Sequence, residues 1–144
     1  MRPDPRRLRL ESYPFVAEVP ARFGDVDPLR HLNNVAIAGI YEEGRVQLHR
    51  RIEADLVREK GSVTVIAQVT LRYLAEGFYP GALQVASGIL KIGGSSYEMG
   101  SALFQDARCI GLSETVLVYT RDRRSHPLPQ ALRDALLAFE MKAD

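Results

Sequence analysis

The sequence predicts an α+β fold in which one long helix packs against one face of an antiparallel sheet. Two observations predict it: a single long segment with helical spacing of apolar residues, and a following run of segments in which apolar and polar residues alternate. With 144 residues, 46% of them hydrophobic and 26% charged, the chain has the size and composition of one globular domain. We therefore expect a single domain over residues 1–144.

The first half of the chain contains one predicted strand and one predicted helix. FVAEVPAR, residues 15–22, alternates as a strand does, and Pro20 restricts it to a sheet edge or to the end of the strand. Residues 34–51 have helical spacing, with Ile37, Ile40, Tyr41 and Leu48 on the apolar face. Either Asn33 or Asn34 would cap this helix, because an amide oxygen accepts hydrogen bonds from the free amides of the first turn.

The second half is predicted to form four strands and a short helix. VTVIAQVTLRYL has the clearest two-residue period, which places Val63, Val65, Ala67, Val69, Leu71 and Tyr73 on one face. The turn EGFYPG separates it from ALQVASGILKI, and SSYEMGSALFQ and CIGLSETVLVY follow as two further strands. PQALRDALLAFEMK has an apolar stripe at helical spacing, so we expect a short amphipathic helix at the C-terminus.

Charge and cysteine content exclude several classes of protein. The net charge is +1, from 19 basic and 18 acidic residues, so no overall field attracts nucleic acid or an anionic membrane. The single cysteine, Cys109, excludes an internal disulfide framework and multi-cysteine metal sites. No apolar run approaches the ~20 residues of a membrane span, and no secretory signal is evident. We expect a cytoplasmic protein without a cofactor, a metal, or a nucleic-acid or membrane partner.

A polar cluster, GDVDPLRHLNNV, stands directly before the helix and belongs to a longer motif. RFGDVDPLRHLNNVAIAGIYEEGR resembles the pattern R-x-x-D-x-D-x-x-G-H-x-N-N-x-x-Y-x-x-x-x-E-x-x-R of hotdog-fold acyl-CoA thioesterases of the 4-hydroxybenzoyl-CoA thioesterase-like family. VTLRYLAEGFYPG, KIGGSSYEMG and LPQALRDAL resemble later segments of that family. The resemblance implies a curved antiparallel sheet wrapped around a long central helix. It also implies a homodimer paired edge to edge with active sites at the subunit interface, and leaves a tetramer of two dimers open.

The resemblance also implies roles for individual residues. Thioester hydrolysis needs a base or nucleophile and donors for the oxyanion that develops on the carbonyl oxygen. Asp27 occupies the catalytic aspartate position of D-x-D, so it would be the base or the nucleophile. The backbone amide of Asn34 or Val35 would polarise the carbonyl, since the first amides of a helix are free and its dipole favours negative charge. His31 and Asn34 would orient the water, the carboxylate or the thioester.

Each of these residues also has a purely structural interpretation. Asp27 could only nucleate a turn, and His31 could be a packing or surface histidine. Glu43, at the family's glutamate position inside the helix, is a second catalytic candidate or forms a salt bridge. We expect Asp25 to be structural and to pair with Arg22.

The binding site for coenzyme A is less clearly defined. Lys91, Ser95 and Ser96 surround the Gly93-Gly94 turn and could offer charge, hydroxyls and amides to its phosphates, and Arg58 is another candidate. The alternative is a strand end with a solvated lysine. The substrate would be an acyl-CoA or an acyl carrier protein thioester, with the acyl group undetermined.

Two positions depart from the family pattern, and two other functions stay open. Arg30 replaces the glycine before the histidine, although glycine adopts a positive φ far more easily than arginine. Ile37 replaces a tyrosine and removes a hydroxyl. GDVDPLRH partly resembles the G-D-x-N-P-L-H loop of hotdog enoyl-CoA hydratases, so hydration is one alternative. A non-catalytic acyl-CoA binding or sensing protein is the other.

Overall fold

The computed structural model describes residues 2–143, which form one antiparallel sheet with two α-helices. The strands are β1 (Phe15–Pro20), β2 (Ser62–Tyr73), β3 (Ala82–Ile92), β4 (Ser96–Gln105), β5 (Arg108–Arg121) and β6 (Arg124–Ser125). The helices are α1 (Asn34–Glu53) and α2 (Gln130–Leu137), and short 3-10 helices cover Pro5–Leu8, Leu10–Ser12 and Phe23–Asp25. The strand order is β1-β3-β4-β5-β2, with β6 paired to β5. The predicted curved sheet with a long helix and a short C-terminal helix is therefore confirmed.

The antiparallel register gives the sheet two distinct ends. At one end Tyr73 lies opposite Gly111, and we call this the loop end because the loop that carries Asp27 stands there. At the other end Ser62 lies opposite Arg121, and we call this the α2 end because α2 packs there. A ten-residue strand such as β4 spans about 30 Å, so groups at the two ends of one subunit lie far apart.

Helix α1 packs its apolar stripe against one face of the sheet, which we call the inner face. Near the loop end, Ile37, Ile40 and Tyr41 contact Leu83, Val85 and Leu103, and near the α2 end Leu48 and Ile52 contact Ile89, Met99 and Leu117. Gly44 allows a close approach of helix and sheet, because a Cβ atom there would overlap the Val85 side chain. Tertiary packing therefore supports a helix whose glycines lower its intrinsic propensity.

The N-terminal segment covers the opposite, outer face of the sheet. Tyr13 packs with a cluster of buried side chains on this face, namely Ala86, Ala102, Phe104 and Leu112. Arg7 is buried beside it, and its guanidinium donates to the Tyr13 hydroxyl at 2.9 Å and forms an ion pair with Glu114 at 3.1 Å. The sequence indicated no structural role for this basic segment, which is part of the core.

Strand β2 has one free edge, and its two faces do not follow the predicted alternation. Ile66 pairs with Leu117 and Gln68 with Val116, so Ala67 is an extra residue that forms a β-bulge. Because cross-strand partners share a face, the bulge places Val63 and Val65 on the outer face and Val69, Leu71 and Tyr73 on the inner face. The prediction of a single apolar face was wrong. A β-bulge exchanges the faces on which successive side chains lie, and the amino-acid composition of β2 does not indicate where it occurs.

Candidate active site

The loop before α1 is folded around the carboxylate of Asp27. The Asp27 Oδ1 atom accepts hydrogen bonds from the backbone amides of Leu29 at 2.9 Å and His31 at 3.2 Å. The Asp27 amide donates to the His31 carbonyl at 2.9 Å, and the Arg30 amide donates to the Asp27 carbonyl at 2.9 Å. The turn-forming interpretation of Asp27 therefore applies to Oδ1. No hydrogen bond reaches Oδ2 from within residues 2–143, and the side chain is partly exposed.

Arg30 adopts the backbone conformation that glycine would favour at this position. Its φ is +67°, in the left-handed region, and its side chain is exposed. A side chain with a Cβ atom costs about 1 kcal/mol there relative to glycine. Arg30 thus takes a conformation that favours glycine, and it adds a cation three residues after Asp27.

The imidazole of His31 pairs with a residue that the sequence did not indicate. Its Nε2 lies 3.1 Å from Oε2 of Glu76, and its ring packs edge-on against Phe78 with centroids 5.4 Å apart. The Leu32 amide donates to the Gly77 carbonyl at 2.9 Å, which fastens the loop to the segment after β2. The sequence identified EGFYPG only as a turn. Its acidic first residue was the available signal for a histidine partner.

The N-terminus of α1 offers two backbone amides. Asn33 is the cap, because its Oδ1 accepts from the Ala36 amide at 2.7 Å, while Asn34 is the first helical residue and its side chain is exposed. The amides of Asn34 and Val35 have no acceptor among residues 2–143. The Val35 side chain is 76% exposed, so this helix end is open to solvent and to a ligand.

Asp25 is a structural residue, as expected. It is buried, and its carboxylate accepts from the Arg22 guanidinium at 3.0 Å and from the Arg22 amide at 2.8 Å. The hydrogen bond from the Arg22 side chain, together with the amide, lowers the pKa of Asp25 below its usual value. The Asp25 carbonyl also accepts from the Asn33 amide at 2.9 Å, which ties this pair to the helix cap.

Glu43 lies in a cleft separate from Asp27. The cleft has a volume of about 540 Å³ and runs between α1 and the end of β1, with Arg22, Asn33, Val35 and Gly39 also in its lining. Neither Asp27 nor His31 lines it. Glu43 is nine residues after Asn34, about 13 Å along the helix, and accepts from the Gln47 amide group at 3.1 Å. Within one subunit, Glu43 and Asp27 therefore do not share a cavity.

The four candidate residues for coenzyme A all lie at the α2 end, far from Asp27. Lys91 is near the end of β3, Ser96 begins β4, and Ser95 accepts from the Ser125 hydroxyl at 3.0 Å. Arg58 donates to the Ser62 carbonyl at 2.9 and 3.1 Å. One subunit does not bring this group together with the Asp27 loop.

Comparison with known proteins places the chain in a family. The model of the thioesterase-like superfamily matches residues 21–136, which is most of the chain. The chain belongs to the thioesterase-like superfamily. The resemblance to hotdog thioesterases is confirmed at this level. No curated protein sequence matches the chain significantly.

Solved structures resemble this thioesterase-like protein over most of its length. A thioesterase from Thermus thermophilus, complexed with coenzyme A and Zn, is 29% identical with a TM-score of 0.79, and the match covers 89% of this chain and 95% of that one. The PA5185 protein of Pseudomonas aeruginosa is 24% identical, with a TM-score of 0.80 and coverage of 95% and 98%. A thioesterase superfamily protein from Jannaschia sp. CCS1 is 18% identical, with a TM-score of 0.81 and coverage of 97% and 98%. The last two likenesses establish the fold alone.

Residues 2–143 contain neither a metal-ion cluster nor a helix that could span a membrane. No group of three His, Cys, Asp or Glu side chains in this range is close enough to hold a metal ion. Neither described α-helix combines the length and the apolar character that crossing a membrane requires.

Proposed function

We propose that this thioesterase-like protein hydrolyses acyl-CoA thioesters to a free acid and coenzyme A at the Asp27 loop. The observation that carries the proposal is a carboxylate oxygen, Asp27 Oδ2, that is free of hydrogen bonds in a loop leading into a helix with two unused amides. A thioester carbonyl bound to the amides of Asn34 and Val35 would be stabilised as its oxygen becomes an anion. The coenzyme A bound to the Thermus thermophilus thioesterase supports the ligand class.

Two chemical routes use the same groups. As a general base, Asp27 takes a proton from water while the water oxygen attacks the thioester carbon. The tetrahedral anion then collapses, the coenzyme A thiolate leaves, and the thiolate takes up the proton from Asp27. As a nucleophile, the Asp27 carboxylate attacks the carbon and expels the thiolate, and water then cleaves the resulting anhydride. The helix amides bind the oxyanion in both routes.

Three further residues have supporting roles in this proposal. His31 fixes the Asp27 carboxylate through its backbone amide, and its imidazole, held by Glu76, would orient water or substrate. The exposed Asn34 side chain could bind the thioester. Glu43 lies in a cleft that does not include Asp27 but does include Val35 at the helix N-terminus, and it is the second catalytic candidate.

We further propose that the protein is a homodimer paired through β2. Among residues 2–143 this strand pairs only with β5, and it exposes Val63, Val65, Ile66 and Val69 beside its free edge. Free edges are normally protected by charge or proline, but β2 has no proline and a single charged residue, Arg72. A second copy is the occupant that fits, because an antiparallel pair of identical edge strands satisfies the unpaired backbone groups through a two-fold axis. Each subunit would contribute one domain, and we propose that the dimer works in the cytoplasm.

Pairing through β2 would bring the four candidate residues for coenzyme A close to the Asp27 loop of the partner subunit. In an antiparallel pair, the start of one β2 lies beside the end of the other, so the α2 end of one subunit meets the loop end of its partner. Arg58, Lys91, Ser95 and Ser96 would then bind the phosphates of a thioester whose carbonyl lies at the partner's helix N-terminus.

The test is thiol release from a panel of aliphatic and aromatic acyl-CoA thioesters. Asp27→Asn should lower kcat by about 10²–10⁴-fold, because it removes the base or nucleophile. Asn retains an oxygen that can accept from the Leu29 and His31 amides, so the melting temperature should change little. Asp106→Asn, an exposed aspartate in the β4–β5 turn, is the matched control and should retain wild-type activity.

Other outcomes would identify a different function. Absence of thiol release from every thioester, or an unchanged rate in Asp27→Asn, would contradict the proposal. Hydration of crotonyl-CoA without thiol release would indicate a hydratase. Tight acyl-CoA binding without either reaction would indicate a binding or sensing protein.

A further inference from the structure

The EGFYPG turn, residues 76–81, holds the imidazole of His31, and one buried side chain in turn holds the EGFYPG turn. That side chain belongs to Gln105, the last residue of β4, which is only 6% exposed. Its Oε1 accepts from the Phe78 amide at 2.9 Å, and its Nε2 donates to the Phe78 carbonyl at 2.8 Å. Gln105 thereby satisfies both backbone polar groups of Phe78, as a neighbouring strand would. We call these two hydrogen bonds the Gln105 clamp.

A carboxamide is the side-chain group that can form the Gln105 clamp. It carries one acceptor and one donor side by side, whereas a carboxylate offers only acceptors and a thioether offers no donor. The turn also closes around this group, because a Cβ atom on Gly81 would overlap the Gln105 Nε2 atom. The residue type, its burial and its close packing therefore all suit a role in fixing the EGFYPG turn.

Three consecutive residues of the clamped turn contact the loop before α1. Phe78 forms an isolated antiparallel bridge with His31, and the centroids of their rings are 5.4 Å apart. The Gly77 carbonyl accepts from the Leu32 amide at 2.9 Å. Oε2 of Glu76 lies 3.1 Å from Nε2 of His31. The clamp on Phe78 therefore holds the turn at the point where it meets this loop.

These contacts reach the Asp27 carboxylate through His31, whose amide donates to Asp27 Oδ1 at 3.2 Å. Burial does little to fix the two turn residues that contact the imidazole, because Phe78 is 44% exposed and the Glu76 side chain is 63% exposed. The Gln105 carboxamide therefore provides a buried anchor for the turn, and through the turn for His31 and the carboxylate.

We propose that Gln105 is a positioning residue of the candidate active site, an inference that rests on the proposed function. Both polar atoms of its carboxamide are bonded to Phe78, so Gln105 acts through the turn rather than on a substrate. It keeps the Asp27 carboxylate in place relative to the amides at the start of α1. A shift of about 1 Å in a catalytic group can lower the rate about 10²-fold, so the clamp should act on kcat.

Removing the clamp tests the proposal. Gln105→Met has a side chain of similar length that cannot donate to the Phe78 carbonyl. In thiol release from an acyl-CoA thioester, its kcat should fall by about 10-fold to 10²-fold while KM changes by less than about twofold, because the loss is in the transition state.

Gln105→Glu is a second variant, which retains the acceptor for the Phe78 amide but, when ionised, lacks the donor for the Phe78 carbonyl. Protonation of the introduced carboxyl restores a donor. The ratio of its kcat to that of the wild type should therefore rise as the pH falls from about 8 to about 5, a pH dependence that a purely structural defect would not produce.

Ser87→Ala is the matched control. It also removes a buried side-chain hydrogen bond, from Ser87 to the Ser101 hydroxyl at 2.8 Å, but in the middle of β3 and away from the loop end. It should lower the urea midpoint of unfolding and leave kcat close to that of the wild type. In an Asp27→Asn background, Gln105→Met should lower kcat little further, because the clamp acts through that carboxylate.

Hydrogen exchange provides a measurement that does not depend on activity. The Leu32 amide, which donates to Gly77, should exchange faster in Gln105→Met than in the wild type or in Ser87→Ala. An unchanged Leu32 exchange rate, a wild-type kcat in Gln105→Met, an equal loss of kcat in Ser87→Ala, or a full further loss in the Asp27→Asn background would overturn the inference. Absence of thiol release by the wild type would instead contradict the proposed function.

Discussion

The two ends of the sheet each hold a histidine beside a carboxylate, but they are built in different ways. At the loop end, His31 lies on a turn that is fastened by main-chain hydrogen bonds and pairs with Glu76, which is exposed. At the α2 end, His49 lies on α1 and is held by side chains, against the buried ring of Tyr97. The loop end thus leaves its polar groups exposed to solvent, while the α2 end pairs its polar groups with one another beside apolar side chains.

The largest effect on stability should follow from breaking the α2 end. Tyr97→Phe removes the hydroxyl that pairs with His49 and leaves a largely buried imidazole nitrogen without its partner, which costs about 1–3 kcal/mol of unfolding free energy. His31→Gln at the loop end removes a partly exposed contact between the imidazole Nε2 and the Glu76 carboxylate and should cost less than about 1 kcal/mol. Urea unfolding of the two variants gives both values. Equal losses of unfolding free energy would show that the contacts of the two histidines stabilise the protein equally.

The second effect is a pH dependence that belongs to the α2 end. Burial, together with the Arg45 charge and against that of Glu53, lowers the pKa of folded His49 below its ordinary value of 6.5. The unfolded chain therefore takes up a proton first as the pH falls, and the stability associated with neutral His49 is lost between about pH 6.5 and the lower folded pKa. Urea unfolding from pH 7.5 to 5 should show a steeper loss in the wild type than in His49→Gln. Parallel curves would contradict a buried neutral His49.

The smallest effect concerns the backbone of the loop end. Arg30→Gly should stabilise the protein by about 1 kcal/mol or less, because glycine adopts φ +67° without strain but loses more chain entropy on folding. Arg123→Gly is a matched control, since Arg123 has the same φ in the turn between β5 and β6. Both variants should gain similar stability in thermal melts, while only Arg30→Gly should change KM for acyl-CoA. A KM change in both variants would show that the effect is not specific to Arg30.

The loop end could be predicted from sequence because most of its residues are neighbours in the chain. Asp25, Asp27, His31 and Asn33 lie within nine positions, and local turn and capping rules connect them. The Asp25–Arg22 pair was predicted in this way and is present, and of the two asparagines predicted as alternative caps Asn33 is the cap. The order of strands and helices was also predictable, since each element has its own period.

The α2 end could not be predicted because it joins several distant segments. His49 on α1 meets Tyr97 on β4 through the packing of helix on sheet, and Ser62 and Tyr119 line the same cavity as His49, so no local spacing relates these residues. The partner of His31 was missed for the same reason, since Glu76 is 45 positions away along the chain. The bulge at Ala67 could not be predicted, because apolar and polar residues continue to alternate across it in the sequence. Long-range pairing, rather than residue type, determines all three features.

The N-terminal segment that covers the outer face determines how far the chain can be truncated without exposing its core. The family model begins at residue 21, but Arg7 and Tyr13 lie inside the fold and shield Phe104 and Leu112. A fragment trimmed to the family boundaries would expose an apolar sheet surface and separate Glu114 from its buried arginine. Such a fragment should aggregate on expression, so an affinity tag belongs ahead of an intact N-terminus rather than in place of it.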